Sequence, residues 1–226
     1  MASKSSKPQQ PRPWDRRPWP ESGDGHQDIT YAAVGRALSE WERYESVLGF
    51  LFGNLVLPGA PVLLAATRSY SAVRTFEGRA EMLRAASEAF FFYYGTEMAD
   101  TLQDKFKDVL RNAVQFSQRR NDIAHGVVDH YRPPPPTVPP MSSPDEYALF
   151  PAYATFKERD PQNVPTYCYA SAELDYYRTQ FYSLRRPAFS LCQEIATAAQ
   201  ASALRGKYRS LIRRSASRSA PKSDQR

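Results

Sequence analysis

The stretch from Leu102 to Gly126, LQDKFKDVLRNAVQFSQRRNDIAHG, decides the fold class. Its apolar residues Leu102, Phe106, Val109, Ala113 and Phe116 recur at alternating steps of four and three, the period of one buried face of an α-helix. One more step of four lands on Arg120. The core stripe is therefore expected to end in a guanidinium, which must meet a carboxylate, a backbone carbonyl or, across an interface, a phosphate. Gly126 is a natural helix stop, and it places His125 in the last turn, where the helix dipole favours imidazolium. With about 100° per residue, Arg120 and His125 lie about 140° apart, whereas Asn121 is one turn from His125 and suited to orient its ring.

Arginine followed by histidine five positions later is weak evidence by itself, since 23 Arg and 3 His in 226 residues give about 0.3 such pairs by chance. The longer string Arg120-Asn121-x-x-Ala124-His125 is more specific. It resembles the motif of the HEPN superfamily, small helical bundles that carry an Arg, four to six residues and a His near the end of a late helix. The motif covers 6 residues, and the helices expected around it over positions 28 to 204 are compatible. The resemblance implies a metal-independent ribonuclease of a toxin, abortive-infection or RNA-processing system, or a relative that serves as a binding or dimerisation module.

The expected fold is mainly α: a HEPN-like bundle of about four long helices with a small β-hairpin insertion. At 226 residues and 42% hydrophobic, the chain can bury one sizeable core, and a single domain over 28 to 204 is expected. Flanking it, residues 1 to 27 form a basic, Pro-rich arm and residues 205 to 226 a basic Arg/Ser tail. Both are expected to be disordered and removable without unfolding the domain. The net charge of +6 does not describe a basic surface: the arm carries +2, the tail +7 and the domain −3. Any RNA contact therefore needs a local patch or the tails themselves.

Along the chain, Tyr31, Val34, Leu38, Trp41, Glu45, Leu48 and Phe52 describe one face of a first long helix that ends near Gly53 and Asn54. A second begins near Ser69 or Ser71 and closes with the all-apolar run Phe90 to Tyr94, expected to be deeply buried or part of a subunit interface. The third carries the motif. A Pro-rich loop spans 132 to 144, and aromatic-rich segments 147 to 157 and 165 to 170 flank Asp160-Pro161-Gln162-Asn163, which predicts a hairpin between them. Ser171 reads as the cap of a last helix running to about Leu204.

Residues 46 to 67 hold no charge, but Asn54, Pro58, Gly59 and Pro61 interrupt them, so a helix end, a turn and a new apolar segment are expected rather than a membrane span. The N-terminus lacks the apolar stretch of a secretory signal, and a cytoplasmic location is expected. Cys168 and Cys192 have no partner at metal-ligand spacing and read as two reduced thiols, so neither a metal site nor a cofactor is expected.

The resemblance and the site chemistry together favour an endoribonuclease. RNA supplies its own 2′-hydroxyl nucleophile, so His125 serves as general acid or base, Arg120 clamps the phosphate, Asn121 orients the imidazole and Arg119 helps to bind substrate. In-line displacement needs proton transfer on opposite sides of the phosphorus. The resemblance implies a homodimer that brings two copies of His125 to one composite site. RNA and an antitoxin or sensor protein are the expected partners. The alternative is a non-catalytic helical module, in which the same three side chains make structural or interface hydrogen bonds.

Overall fold

In a computed structural model the chain is described over residues 11–58, 64–94, 99–133, 145–152 and 165–218, without side chains at 99 and beyond 202. The elements in order are α1 (Gln27–Val56), α2 (Leu64–Ala72), α3 (Phe76–Tyr94), α4 (Ala99–Ala124), β1 (Gly126–His130), β2 (Tyr147–Pro151) and α5 (Ser171–Arg218). The protein is thus mainly helical with one small two-stranded antiparallel sheet.

The chain divides into two compact units. One takes residues up to Tyr44 together with Asn112–Arg185; the other takes Glu45–Arg111 and everything from Arg186. Helices α1, α4 and α5 each contribute a part to both.

The first unit is built around aromatic rings. Trp41 packs edge-on against Phe181 at 5.2 Å, Phe116 meets Phe181 at 6.0 Å, and Trp14 meets Phe116 at 6.1 Å. Such edge-to-face pairs add to the burial that each large ring already supplies. On α1 the buried positions here are Thr30, Ala33, Ala37, Glu40, Trp41 and Tyr44, while Tyr31 is 51% exposed. At the start of α1 the face is rotated by one residue from the expectation, with Ala33 and Ala37 turned inward and Tyr31 outward, while Trp41, Glu45, Leu48 and Phe52 are buried as expected.

The sheet also differs from expectation. β2 pairs with β1, immediately after the motif helix, in the register Gly126 opposite Pro151 through His130 opposite Tyr147. The segment near 165 to 170 adds only an isolated bridge from Tyr169 to Leu149, and the turn expected at 160 to 163 lies outside the described residues. Gly126 is required by this sheet: a Cβ there would sit 2.7 Å from Leu149 Cγ. Its role as a helix stop is therefore close approach rather than a left-handed backbone.

Residues 11–27, expected to lack structure, are docked on this unit. Asp24 exchanges both backbone hydrogen bonds with Tyr147 at 2.8 Å, accepts the Thr30 hydroxyl at 2.6 Å, and accepts the Ser171 amide and hydroxyl at 2.9 and 2.6 Å. The cap of α5 therefore comes from Asp24, a carboxylate placed at a helix N-terminus. Ser171 is already the first helical residue. Glu173 completes the arrangement by accepting the Ala170 amide at 3.1 Å. The apolar anchors are Trp19, whose indole N–H donates to the Arg132 carbonyl at 3.1 Å, and the pair in which the buried Tyr131 hydroxyl donates to the Pro20 carbonyl at 2.6 Å. No periodicity announces such docking, since hydrogen bonds to irregular backbone repeat at no fixed spacing.

In the second unit the expected second helix is split. Thr75 caps α3, its hydroxyl accepting the Gly78 amide at 3.2 Å, so that α2 ends at Ala72. The charged pair Glu45 and Arg79 meets at 2.8 Å, and Arg79 Nε donates to the Val73 carbonyl at 2.8 Å, which ties the break to α1. In the apolar run closing α3, Phe90 is buried while Phe92 and Tyr93 are 83% and 79% exposed. The end is therefore neither all buried nor all exposed.

The uncharged stretch 46 to 67 contains the end of α1 at Val56 and the start of α2 at Leu64, and no helix among the described residues is long and apolar enough to cross a membrane. Helix α5 passes through Pro187 and continues to Arg218, beyond the expected end near Leu204. Residues 1–10, most of the Pro-rich loop and 219–226 lie outside the described residues.

Candidate functional site

Helix α4 delivers the motif. Leu102, Phe106, Val109, Ala113 and Phe116 are all buried, as the spacing predicted. Beyond Phe116 the buried side turns to Arg119, Asp122 and Ile123, at 8%, 7% and 1% exposure. The shift has a local cause: the N-terminal segment and the segment around Tyr167 and Tyr169 cover this side of the last turns.

Asp122 is the most heavily bonded carboxylate of the site. Arg16 grips it with two nitrogens, Nε to Oδ2 at 3.3 Å and Nη2 to Oδ1 at 3.1 Å. Arg119 Nη1 lies 3.0 Å from Oδ2, and the Tyr169 hydroxyl donates to Oδ2 at 3.1 Å. The Tyr167 hydroxyl donates to the Asp122 backbone carbonyl at 2.9 Å, one of the acceptors that a helix end leaves open. Arg16 also lies 4.8 Å above the Tyr167 ring and donates to Thr166 Oγ1 at 3.0 Å. Burial, with Asp122 beside it, holds the Tyr169 hydroxyl well above the ordinary tyrosine range. The hydroxyl therefore stays protonated and keeps donating.

Arg120 stands on the more open side. Its Nη1 donates to Asn121 Oδ1 at 3.3 Å, and its Nη2 lies 3.6 Å from Glu42, a carboxylate 62% exposed. Nε of Arg120 is buried and has no hydrogen-bond partner among the described residues. His125 is exposed, and its backbone amide donates to the Asn121 carbonyl at 3.0 Å, which continues the helix by one bond.

Of the four residues singled out from the sequence, Arg120 and Asn121 are brought into contact through their side chains, while Asn121 reaches His125 through the backbone. Asn121 thus offers its side-chain oxygen to Arg120. Arg119, expected to bind substrate, is instead buried against Asp122, because its side chain falls under the cover just described. Sequence reasoning missed Asp122, Arg16, Tyr167 and Tyr169. The Arg119/Asp122 spacing of three was the available hint, since residues three apart are neighbours on a helix.

Among the described residues, no group of three or more His, Cys, Asp or Glu side chains converges as a metal site. Both cysteines are buried free thiols. Burial, and then the nearby Glu173 and Asp24, push the Cys168 thiol far up, which leaves it a poor nucleophile. No protein-family model, curated protein or solved structure matches the chain.

Proposed function

We propose that the protein is a metal-independent endoribonuclease of HEPN type. The carrying observation is an exposed His125 on the last turn of α4, five positions from a part-exposed Arg120. Arg120's charge partner Glu42 is itself open to solvent, and an exposed ion pair of this kind is worth at most about 1 kcal/mol. A phosphate can displace it at small cost, and it would meet a planar guanidinium fork.

In the reaction the 2′-hydroxyl attacks the adjacent phosphorus, the 5′-oxygen leaves, and a 2′,3′-cyclic phosphate forms. One His125 takes the proton from the 2′-hydroxyl. The partner's copy in a two-fold dimer gives a proton to the leaving oxygen, and Arg120 stabilises the charge that develops on the phosphate. The reading places the homodimer in the cytoplasm, with RNA as substrate and an antitoxin or sensor protein as regulator of a toxin or defence system.

A second reading is a non-catalytic interaction module. It is favoured by the contact of Asn121 Oδ1 with Arg120, which leaves the imidazole without a side-chain hydrogen bond among the described residues. Incubating the purified chain with single-stranded RNA in chelator separates the two. Cleavage that leaves 2′,3′-cyclic ends and spares DNA of the same sequence is expected. A folded dimer that binds RNA and leaves it intact would select the module.

A further inference from the structure

We propose that Asp122 is the positioning residue of this site and that the N-terminal segment, through Arg16, is part of the machinery that holds the motif in place. Asp122 has more partners than its burial requires. A carboxylate with 7% of its side chain exposed needs a cation and good hydrogen bonds to offset its desolvation. Arg119, from its own helix, already supplies the cation. Asp122 nevertheless also takes two nitrogens of Arg16 from 106 positions away and the hydroxyl of Tyr169 from 47 positions away.

These extra bonds do not fall along the helix at random. They converge on the residue that separates Asn121 from Ile123, inside the final turn that carries Asn121 and His125. Tyr167 seizes the backbone carbonyl of the same residue. A helix end is where fraying is expected, because its last carbonyls have no partner within the helix. Here both the side chain and the carbonyl of one residue are fastened from outside, four positions before a glycine where a Cβ would meet Leu149 at 2.7 Å. His125 is left exposed on a turn that cannot fray while Asp122 stays gripped. The geometry fixes the stretch of backbone from which the His125 ring projects, without touching the ring.

For its catalytic consequence the inference rests on the endoribonuclease reading. Its structural half stands apart from it. The test uses the full chain as Arg16→Ala, Arg16→Lys and Asp122→Asn variants, with two measurements on each.

The first is hydrogen exchange at the backbone amides. Arg16→Ala should reduce protection of the Ile123, Ala124 and His125 amides by about 10-fold or more, with amides in the middle of α1 unchanged. Arg16→Lys restores a charge without the fork and should recover part of the loss. Unchanged protection at His125, or a uniform fall across α1 and α4 alike, would overturn the proposal. Asp122→Asn leaves Arg119 buried beside a neutral amide and can fail to fold; Arg16, part-exposed, keeps the question answerable in that case.

The second measurement is cleavage of single-stranded RNA with kcat and KM separated. Arg16→Ala should lower kcat by about 10-fold with KM within a factor of two. A fall in neither, with the last turn loosened, would overturn the catalytic consequence. If the wild-type chain never cuts RNA, the endoribonuclease reading fails alone, and hydrogen exchange still decides whether Asp122 and Arg16 fasten the turn.

Discussion

Asp122 and Glu45 are two carboxylates buried to the same degree, each with 7% of its side chain exposed, and they are held in different ways. Glu45 in the second unit meets one guanidinium, that of Arg79 at 2.8 Å, whose Nε is spent on the Val73 carbonyl. Asp122 in the first unit takes two guanidiniums and a tyrosine hydroxyl. One arginine is therefore enough to keep a carboxylate buried in this protein. The added partners at Asp122 do something else: they bring the N-terminal segment and the segment before α5 onto the turn that carries the motif.

The contrast can be broken most sharply by removing each carboxylate. Asp122→Ala should cost about 3–5 kcal/mol, because it strands Arg119, whose side chain is 10% exposed. Glu45→Ala should cost about 1–3 kcal/mol, since Arg79 keeps a backbone acceptor and is 20% exposed. Denaturant midpoints measure both, and equal losses would erase the distinction.

Next in size is the chemistry. His125→Ala should lower RNA cleavage about 10²-fold or more while moving stability by less than about 0.5 kcal/mol, since the ring is exposed. Arg120→Lys should reduce cleavage on the order of 10-fold, because a point charge does not reproduce the planar fork. A His125→Ala variant that cuts RNA as the wild-type chain does would detach the fastened turn from the proposed catalysis.

The tyrosine beside each carboxylate sharpens the comparison further. Tyr169→Phe removes a donor to a charged acceptor and should cost about 1.5 kcal/mol. The buried hydroxyl of Tyr70 has no hydrogen-bond partner among the described residues, so Tyr70→Phe should be neutral or slightly stabilising. Thermal melts of the two variants should move in different directions or by clearly different amounts.

The smallest effect is on pH dependence. Burial raises the hydroxyls of Tyr169 and Tyr177 in the first unit and pushes the Cys192 thiol in the second from 9.0 up to about 12. Each group holds its proton more tightly when folded. The stability it contributes is complete below the ordinary pKa and is lost as pH rises through the folded one. The melting temperature should therefore decline above about pH 9, and Cys192→Ala should make the decline shallower between pH 9.0 and about 12. An identical slope in the variant would remove Cys192 as a contributor.

The helical character and the buried stripe of α4 were legible in the sequence because they rest on a period carried by five residues between Leu102 and Phe116. The stripe's continuation was not. A step of three and a step of four are both helical, and the choice between Arg119 and Arg120 is made by what covers the helix end. That cover comes from Arg16, Tyr167 and Tyr169, whose links to Asp122 span 106, 45 and 47 positions. Hydrogen bonds at such separations leave no pattern in the chain. The pairing of β1 with β2 was missed for a related reason: Gly126–His130 is a five-residue strand with only two consecutive apolar residues, and its partner begins 17 positions after it ends. The motif itself was readable as chemistry, while the residues that fasten it were readable only as spacer and loop.

The N-terminal segment acts as a ruler. Arg16 is fixed on Asp122, Trp19 on the Arg132 carbonyl, Pro20 on the Tyr131 hydroxyl and Asp24 on Tyr147, so four points are pinned within nine residues. A chain advances at most about 3.6 Å per residue, and hydrogen bonds tolerate only a few tenths of an ångström. Deleting one residue between Arg16 and Asp24 puts the pins on one side of the cut out of step with those on the other. A stretch whose prolines and charges suggest a spacer is thus free to vary in many of its letters and hardly at all in its count.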